Sequence, residues 1–254
     1  MKENIVIIHG MWARGCLLSN LKSFFEEKGY NCIAIDLPGR SNDSNKNCEV
    51  SDYGFLDFVD YAAKEIDKLD SKPIVMGHSM GGLITHKLAE MGFAKKAVLI
   101  TPATQRGVVN LSYDAAIGFL PVALKPFFWK KALEPTKKGF DYICAEVPED
   151  VRDKIRFHLV PESGKAFFEI SMWGFDFKRS THIENSKINC PVFQIAGKKD
   201  KIISHKVLEK QAELISKYVK DFKFKIYDNH GHGIIWEKGW NEVCEDIHQW
   251  ISAK

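Results

Sequence analysis

Pro73-Ile74-Val75-Met76-Gly77-His78-Ser79-Met80-Gly81-Gly82-Leu83-Ile84-Thr85 is the stretch that decides the fold class. It opens as a short apolar run of the kind buried inside a sheet and continues, after Ser79, into a segment with helical character. Gly77 and Gly81 bracket the serine in a G-x-S-x-G pattern. At ordinary Gly and Ser frequencies, three fixed positions of this kind arise by chance in about one chain of this length in ten. The flanking strand and helix give the pattern its weight. A serine presented on a sharp strand-to-helix turn needs glycine neighbours where the backbones crowd together.

On either side of this turn, short apolar runs alternate with amphipathic ones. Strands are expected at Ile5–Ile8, Cys32–Ile35, Ile74–Met76, Ala97–Ile100, Val192–Ile195 and Phe222–Tyr227. Helices are expected at Leu17–Lys28, Gly54–Leu69, Gly82–Met91, Lys206–Lys220 and from about Trp236 to Ile251. Gly29 and Gly92 fall where a helix end takes a left-handed residue. In the last helix Trp240, Val243, Ile247 and Trp250 share a stripe that reads as core contact. Such alternation calls for an α/β fold, a mostly parallel sheet of about six strands with helices on both faces.

The alternation stops between Ile100 and Cys190. Six of the nine prolines and nine of the 17 phenylalanines fall there, among helix-like pieces. This predicts a helical cap or lid over residues 104–186, inserted into a core made of 1–103 and 187–254. Phe127, Phe128, Trp129, Phe167, Phe168 and Trp173 could line an apolar pocket, although such rings also form the core on which a cap packs.

Composition narrows the function classes. With 36 basic and 33 acidic residues the net charge is only +3, and the short lysine runs carry no interleaved aromatics, so no nucleic-acid partner is expected. No apolar stretch approaches the roughly 18 residues of a membrane span, and the N-terminus is too short in apolar residues for a signal-peptide core, so a cytoplasmic location is expected. Cys16, Cys32, Cys48, Cys144, Cys190 and Cys244 are scattered singly, which reads as reduced, mostly structural thiols.

The Gly77-His78-Ser79-Met80-Gly81-Gly82 turn resembles the elbow of the α/β-hydrolase superfamily, in particular its esterase and lysophospholipase-like group. The resemblance covers the core on both sides of the insertion. It implies Ser79 as nucleophile, Asp200 in Gly197-Lys198-Lys199-Asp200 as the acid, and a histidine in Asp228-Asn229-His230-Gly231-His232-Gly233 as the base. Because the family writes this loop Gly-His, His232 is favoured over His230. Ser79, Asp200 and His232 then stand in the chain order the fold requires. His9-Gly10-Met11-Trp12 matches the loop after the family's first long strand, and by that resemblance the backbone N–H groups of Met11 and Met80 form an oxyanion hole. His9 itself reads equally as a structural histidine tying its loop to a neighbour, His78 as a packing or hydrogen-bonding residue, and His86 with Lys87 as part of a polar helix face.

Two departures from the family are visible. Asp36-Leu37-Pro38-Gly39-Arg40-Ser41 lacks the second glycine of the corresponding loop and reads as a structural turn. The family's two leading antiparallel strands are missing, which predicts a trimmed sheet. The pair His230-Gly231-His232 could begin a zinc site, but no further ligand follows at metal spacing. The resemblance implies hydrolysis of a carboxylic ester with an apolar group, through an acyl-serine and with no cofactor or metal. Perhydrolase, thioesterase or lyase chemistry on the same fold, or a silent ligand-binding protein, are the alternatives.

Overall fold

The structure is a computed structural model that describes residues 2–40, 48–110 and 112–253. Its strands are β1 (Asn4–Ile8), β2 (Asn31–Ile35), β3 (Ile74–His78), β4 (Lys96–Ile100), β5 (Ala132–Leu133), β6 (Glu162–Ser163), β7 (Val192–Gly197) and β8 (Phe222–Tyr227). Six of them form one sheet in the order β2-β1-β3-β4-β7-β8, every pair parallel. All six predicted strands lie within these limits, and the sheet has the expected six.

The helices among the described residues are α1 (Ser19–Glu27), α2 (Phe55–Ile66), α3 (Met80–Glu90), α4 (Tyr113–Ala123), α5 (Lys137–Ile143), α6 (Glu149–Phe157), α7 (Gly164–Ser171), α8 (His205–Ser216) and α9 (Trp240–Ser252). Alternating strand residues feed two cores, because successive side chains point to opposite faces. Val6, Ile8, Val75, Ala97 and Leu99 pack with α2, α3 and α8. Ile5, Ile7, Ile74, Met76, Val98 and Ile100 pack with α1 and α9. Helices therefore cover both faces.

The last helix begins at Trp240 rather than near Trp236. A turn closed by Trp236 N–H to the Gly233 carbonyl at 2.7 Å precedes it, and Gly239 sits at φ 89°. The helix-like stripe there overran a loop whose apolar residues, Ile234, Ile235 and Trp236, are buried for packing rather than by helical period. A second difference concerns His86, which is fully buried: α3 is enclosed on all sides, so it has no polar face at that position.

Between β4 and β7 the chain makes α4 to α7 and a small antiparallel pair, β5 with β6, that joins Ala132 to Ser163 and Leu133 to Glu162. A ladder of two residues leaves no periodicity for sequence reading to find. Both ends of this segment are tied to the core by buried amides. Asn185 Oδ1 accepts from His86 Nε2–H at 2.9 Å, and its Nδ2 donates to the Gln105 side chain at 3.3 Å. The Gln105 N–H donates to Gln211, which donates to Gln194, which donates to the Leu208 carbonyl. Each of these buried amides thus finds a partner, as burial demands.

Candidate active site

Ser79 connects β3 directly to α3 at φ 55° and ψ −120°, a region that non-glycine residues rarely occupy. The turn is held from several directions. The Ser79 N–H donates to the Ile100 carbonyl at 3.0 Å, and the Ser79 carbonyl accepts from the N–H groups of Gly82, Leu83 and Ala103. The glycines permit this packing. A methyl at Gly77 would overlap the Gly81 carbonyl, and one at Gly81 would overlap the Ile8 carbonyl.

The structure brings Ser79, His232 and Asp200 into one line. His232 Nε2 lies 3.0 Å from Ser79 Oγ, and its Nδ1 lies 2.8 Å from Asp200 Oδ2. Asp200 Oδ1 accepts the N–H groups of Ile202 and Ile203 at 2.7 and 2.8 Å, which fixes the carboxylate against β7's following loop. His232 and Asp200 are buried, and the ring reaches Ser79 from the loop after β8. His230 turns elsewhere: its Nδ1 meets Glu237 at 3.0 Å, and Glu237 also accepts the Gly231 N–H. The two histidines therefore share no ligand direction. Among the described residues no group of three or more His, Cys, Asp or Glu side chains could hold a metal ion.

Two groups support this arrangement: His78, read in the sequence as a packing or hydrogen-bonding residue, and Thr101, which the sequence did not single out. His78 Nε2–H donates to the His232 carbonyl at 2.8 Å, and Thr101, at φ 39°, donates to the same oxygen at 3.3 Å. Both hold the backbone that carries the His232 ring. Nothing in the sequence announces a left-handed threonine, whereas His78 was visible as the variable position beside the serine. His9 is structural in this setting, with Nδ1–H donating to the Gly10 carbonyl and Nε2 accepting the Leu37 N–H. Asp36 accepts the Gly15 N–H at 2.6 Å, in keeping with a structural turn, and Ser41 of that loop lies outside the described residues.

Met11 and Met80 line the same cavity as Ser79 and His232. Among the described residues neither backbone N–H donates to a protein acceptor. The cavity holds about 820 Å³ and runs between the sheet and the β4–β7 segment. Phe119, Phe167 and Trp173 contribute to its wall, and among the described residues no Asp, Glu, Lys or Arg does. Of the other aromatics singled out, Phe128 belongs to a core with Trp12 and Leu133, Phe168 packs partly against that core, and Phe127 and Trp129 are exposed.

Burial sets the charge state of three histidines. Desolvation pulls His9 and His78 from 6.5 down to about 3 and His86 to about 4, with Arg40 adding to the effect on His9 and His232 to that on His78. The unfolded chain protonates these rings below about 6.5 while the native chain does not, so stability is lost as pH falls from 6.5 through the folded values of about 4 and about 3. Unfolding at pH 5 is therefore expected to take up close to three protons at these sites, seen as a steep fall in the urea midpoint between pH 7 and pH 5. A midpoint unchanged over that range would refute the neutral, buried assignment. Burial likewise raises the thiols of Cys32, Cys144 and Cys244 to about 12 and Cys190 to about 11. Together with exposed Cys16 these are free cysteines, while the Cys48 side chain lies outside the described residues.

A family model described as the alpha/beta hydrolase fold matches residues 3–239. No curated protein matches the chain in sequence. Among solved structures, a monoacylglycerol lipase from Paleococcus ferrophilus is similar at 20% identity, covering 97% of this chain and 93% of that one with a TM-score of 0.70. A methylesterase from Arabidopsis is similar at 15% identity, with 98% and 99% covered and a TM-score of 0.71. An esterase from Exiguobacterium antarcticum is similar at 18% identity, with 99% and 92% covered and a TM-score of 0.72. At these identities the likeness extends to the fold.

Proposed function

The chain belongs to the alpha/beta hydrolase fold family, and from that premise we propose that it is a serine hydrolase that cleaves an uncharged carboxylic ester through an acyl-serine intermediate. The observation that carries this reading is the hydrogen-bonded line from Asp200 through His232 to Ser79, opening into a cavity to which the described residues contribute no charged wall. In the proposed reaction the Ser79 hydroxyl passes its proton to His232 Nε2 as Oγ attacks the carbonyl carbon. The resulting oxyanion is stabilised by the N–H groups of Met11 and Met80, each worth a few kcal/mol there. His232 returns the proton to the departing alkoxide, the C–O bond breaks, and the alcohol leaves. Water then repeats the sequence on the acyl-serine, releasing the acid and regenerating the hydroxyl. Asp200 holds the ring's tautomer and balances its positive charge.

Residues 104–186 serve in this proposal as a cap that closes an apolar acyl or alcohol pocket over the core of 1–103 and 187–254. Lining residues contributed by both parts support that division. The test is reaction with a fluorophosphonate probe together with assays on esters of graded acyl length. Stoichiometric labelling at Ser79, absent in Ser79→Ala, and a chain-length optimum are the expected results. Wild-type protein that is neither labelled nor active on any ester would sink the proposal.

A further inference from the structure

We propose that the outer face of the segment around residues 113–138 docks on an anionic lipid surface. Ten of the thirteen large hydrophobic side chains exposed among the described residues lie between Val109 and Phe177, so exposure is concentrated in one stretch of the chain. Within that part α4 shows apolar side chains both inward and outward. Phe119 stacks on the Trp12 ring at 5.4 Å beneath it, while Leu120 and the following Leu124 are 51% and 71% exposed. Phe127 and Trp129 continue the patch, with their rings 5.7 Å apart.

Phe127 is the most informative of these. It adopts φ 54°, a left-handed conformation that a bulky residue avoids, and yet its ring is 62% exposed. No burial within the chain offsets that conformation. A partner that receives the ring would.

Charge identifies the partner. Lys125, Lys130, Lys131, Lys137 and Lys138 are all exposed and interleave with the apolar side chains, against Asp114 and Glu134 in the same stretch. Aromatic and aliphatic groups flanked by lysines suit the boundary between acyl chains and anionic headgroups, where each lysine raises partitioning on the order of five-fold. A second copy of the chain fits less well, because a two-fold contact through this face would set lysines against lysines. No helix among the described residues is long and apolar enough to cross a membrane, so the contact is a surface one. Tyr113 and Leu120 both face solvent and line the cavity, so the docked face adjoins the cavity's mouth. Delivery of an apolar ester from the lipid into the cavity rests on the proposed function, whereas the docking does not.

Flotation of the full chain with vesicles tests the docking directly. Binding is expected to vesicles of phosphatidylcholine containing phosphatidylserine, several-fold weaker to phosphatidylcholine alone, and weakened by salt. Phe127→Gly removes the ring at a backbone position glycine adopts without strain, and Lys130→Gln with Lys131→Gln removes two charges. Each variant is expected to bind about five-fold or more weakly while keeping its thermal midpoint and its rate on a soluble short-chain ester. Ser79→Ala is expected to bind as wild type does, so a chain that binds vesicles but hydrolyses no ester would refute the hydrolase reading and leave the docking intact. Absence of wild-type binding to the anionic vesicles, binding undiminished in the variants, or concentration-dependent dimers that Phe127→Gly dissolves would each overturn the docking.

Discussion

Ser79→Ala is expected to lower kcat on a reactive ester by roughly 10⁴- to 10⁶-fold, the loss found when a nucleophile that acts as a unit with its base is removed. His232→Ala should fall to a similar residual rate, and the double variant should fall little further, because each single change already disables the proton transfer. The residual rate would report what the cavity and the proposed Met11 and Met80 N–H donors contribute without covalent catalysis. Stability should move in the other direction for one substitution at the same site. Ser79 is held at φ 55° by hydrogen bonds to Ile100, Gly82, Leu83 and Ala103, a conformation glycine adopts freely. Ser79→Gly is therefore expected to be more stable than Ser79→Ala by about 1–3 kcal/mol in urea unfolding. Equal stabilities would show that the turn stores no strain, and a Ser79→Ala protein with near wild-type kcat would dismiss Ser79 as nucleophile.

That turn was the most legible part of the molecule because its determinants are local. Gly77 and Gly81 lie two residues from Ser79, and the methyl groups they lack would strike carbonyls at the same crossing. The six strands were legible for a related reason: each is buried on both faces, so a short apolar run sufficed to locate it. Asp200 and His232 were readable only through the family resemblance, from the Gly197-Lys198-Lys199-Asp200 and Gly231-His232 patterns together with their order after Ser79, since a lone Asp or His in a loop is otherwise a cap or a solvated charge. The structure adds the distances that join them to Ser79 and separates His232 from His230, which pairs with Glu237.

What the sequence left dark depends on long-range partners. His86 looked like a polar helix position because its own helix cannot reveal that Asn185, 99 residues away, will enclose it. Glu162 gave no signal of any kind, and yet among the described residues between β4 and β7 no carboxylate accepts more hydrogen bonds. Its oxygens each lie 2.7 Å from Arg40 Nη2, and they also accept the N–H groups of Trp12 and Ser163. Arg40 and Glu162 have fully buried side chains.

Glu162→Ala is expected to destabilise the chain by about 3–5 kcal/mol, because it strands the buried Arg40 guanidinium without its counter-charge. Its kinetic effect should be separable from that. Trp12, the residue after Met11, sits at φ 58° and is held from three sides by the inserted segment. Glu162 accepts its N–H at 3.1 Å, its carbonyl accepts the Val160 N–H at 3.0 Å, and its indole donates to the Leu133 carbonyl at 2.8 Å. Removing the first of these lets a strained residue relax and draws the neighbouring Met11 N–H away from the position proposed for the oxyanion donor. A loss of roughly 10²-fold in kcat is expected, the scale of one lost donor, with KM changed little. Arg40→Met combined with Glu162→Met distinguishes the two effects. An apolar pair of similar volume should recover most of the unfolding free energy, because no buried charge is left unpaired. It supplies no acceptor for the Trp12 N–H, so kcat should stay low. Recovery of kcat along with stability would mean that Glu162 acts on the fold alone and that the oxyanion loop does not depend on the inserted segment.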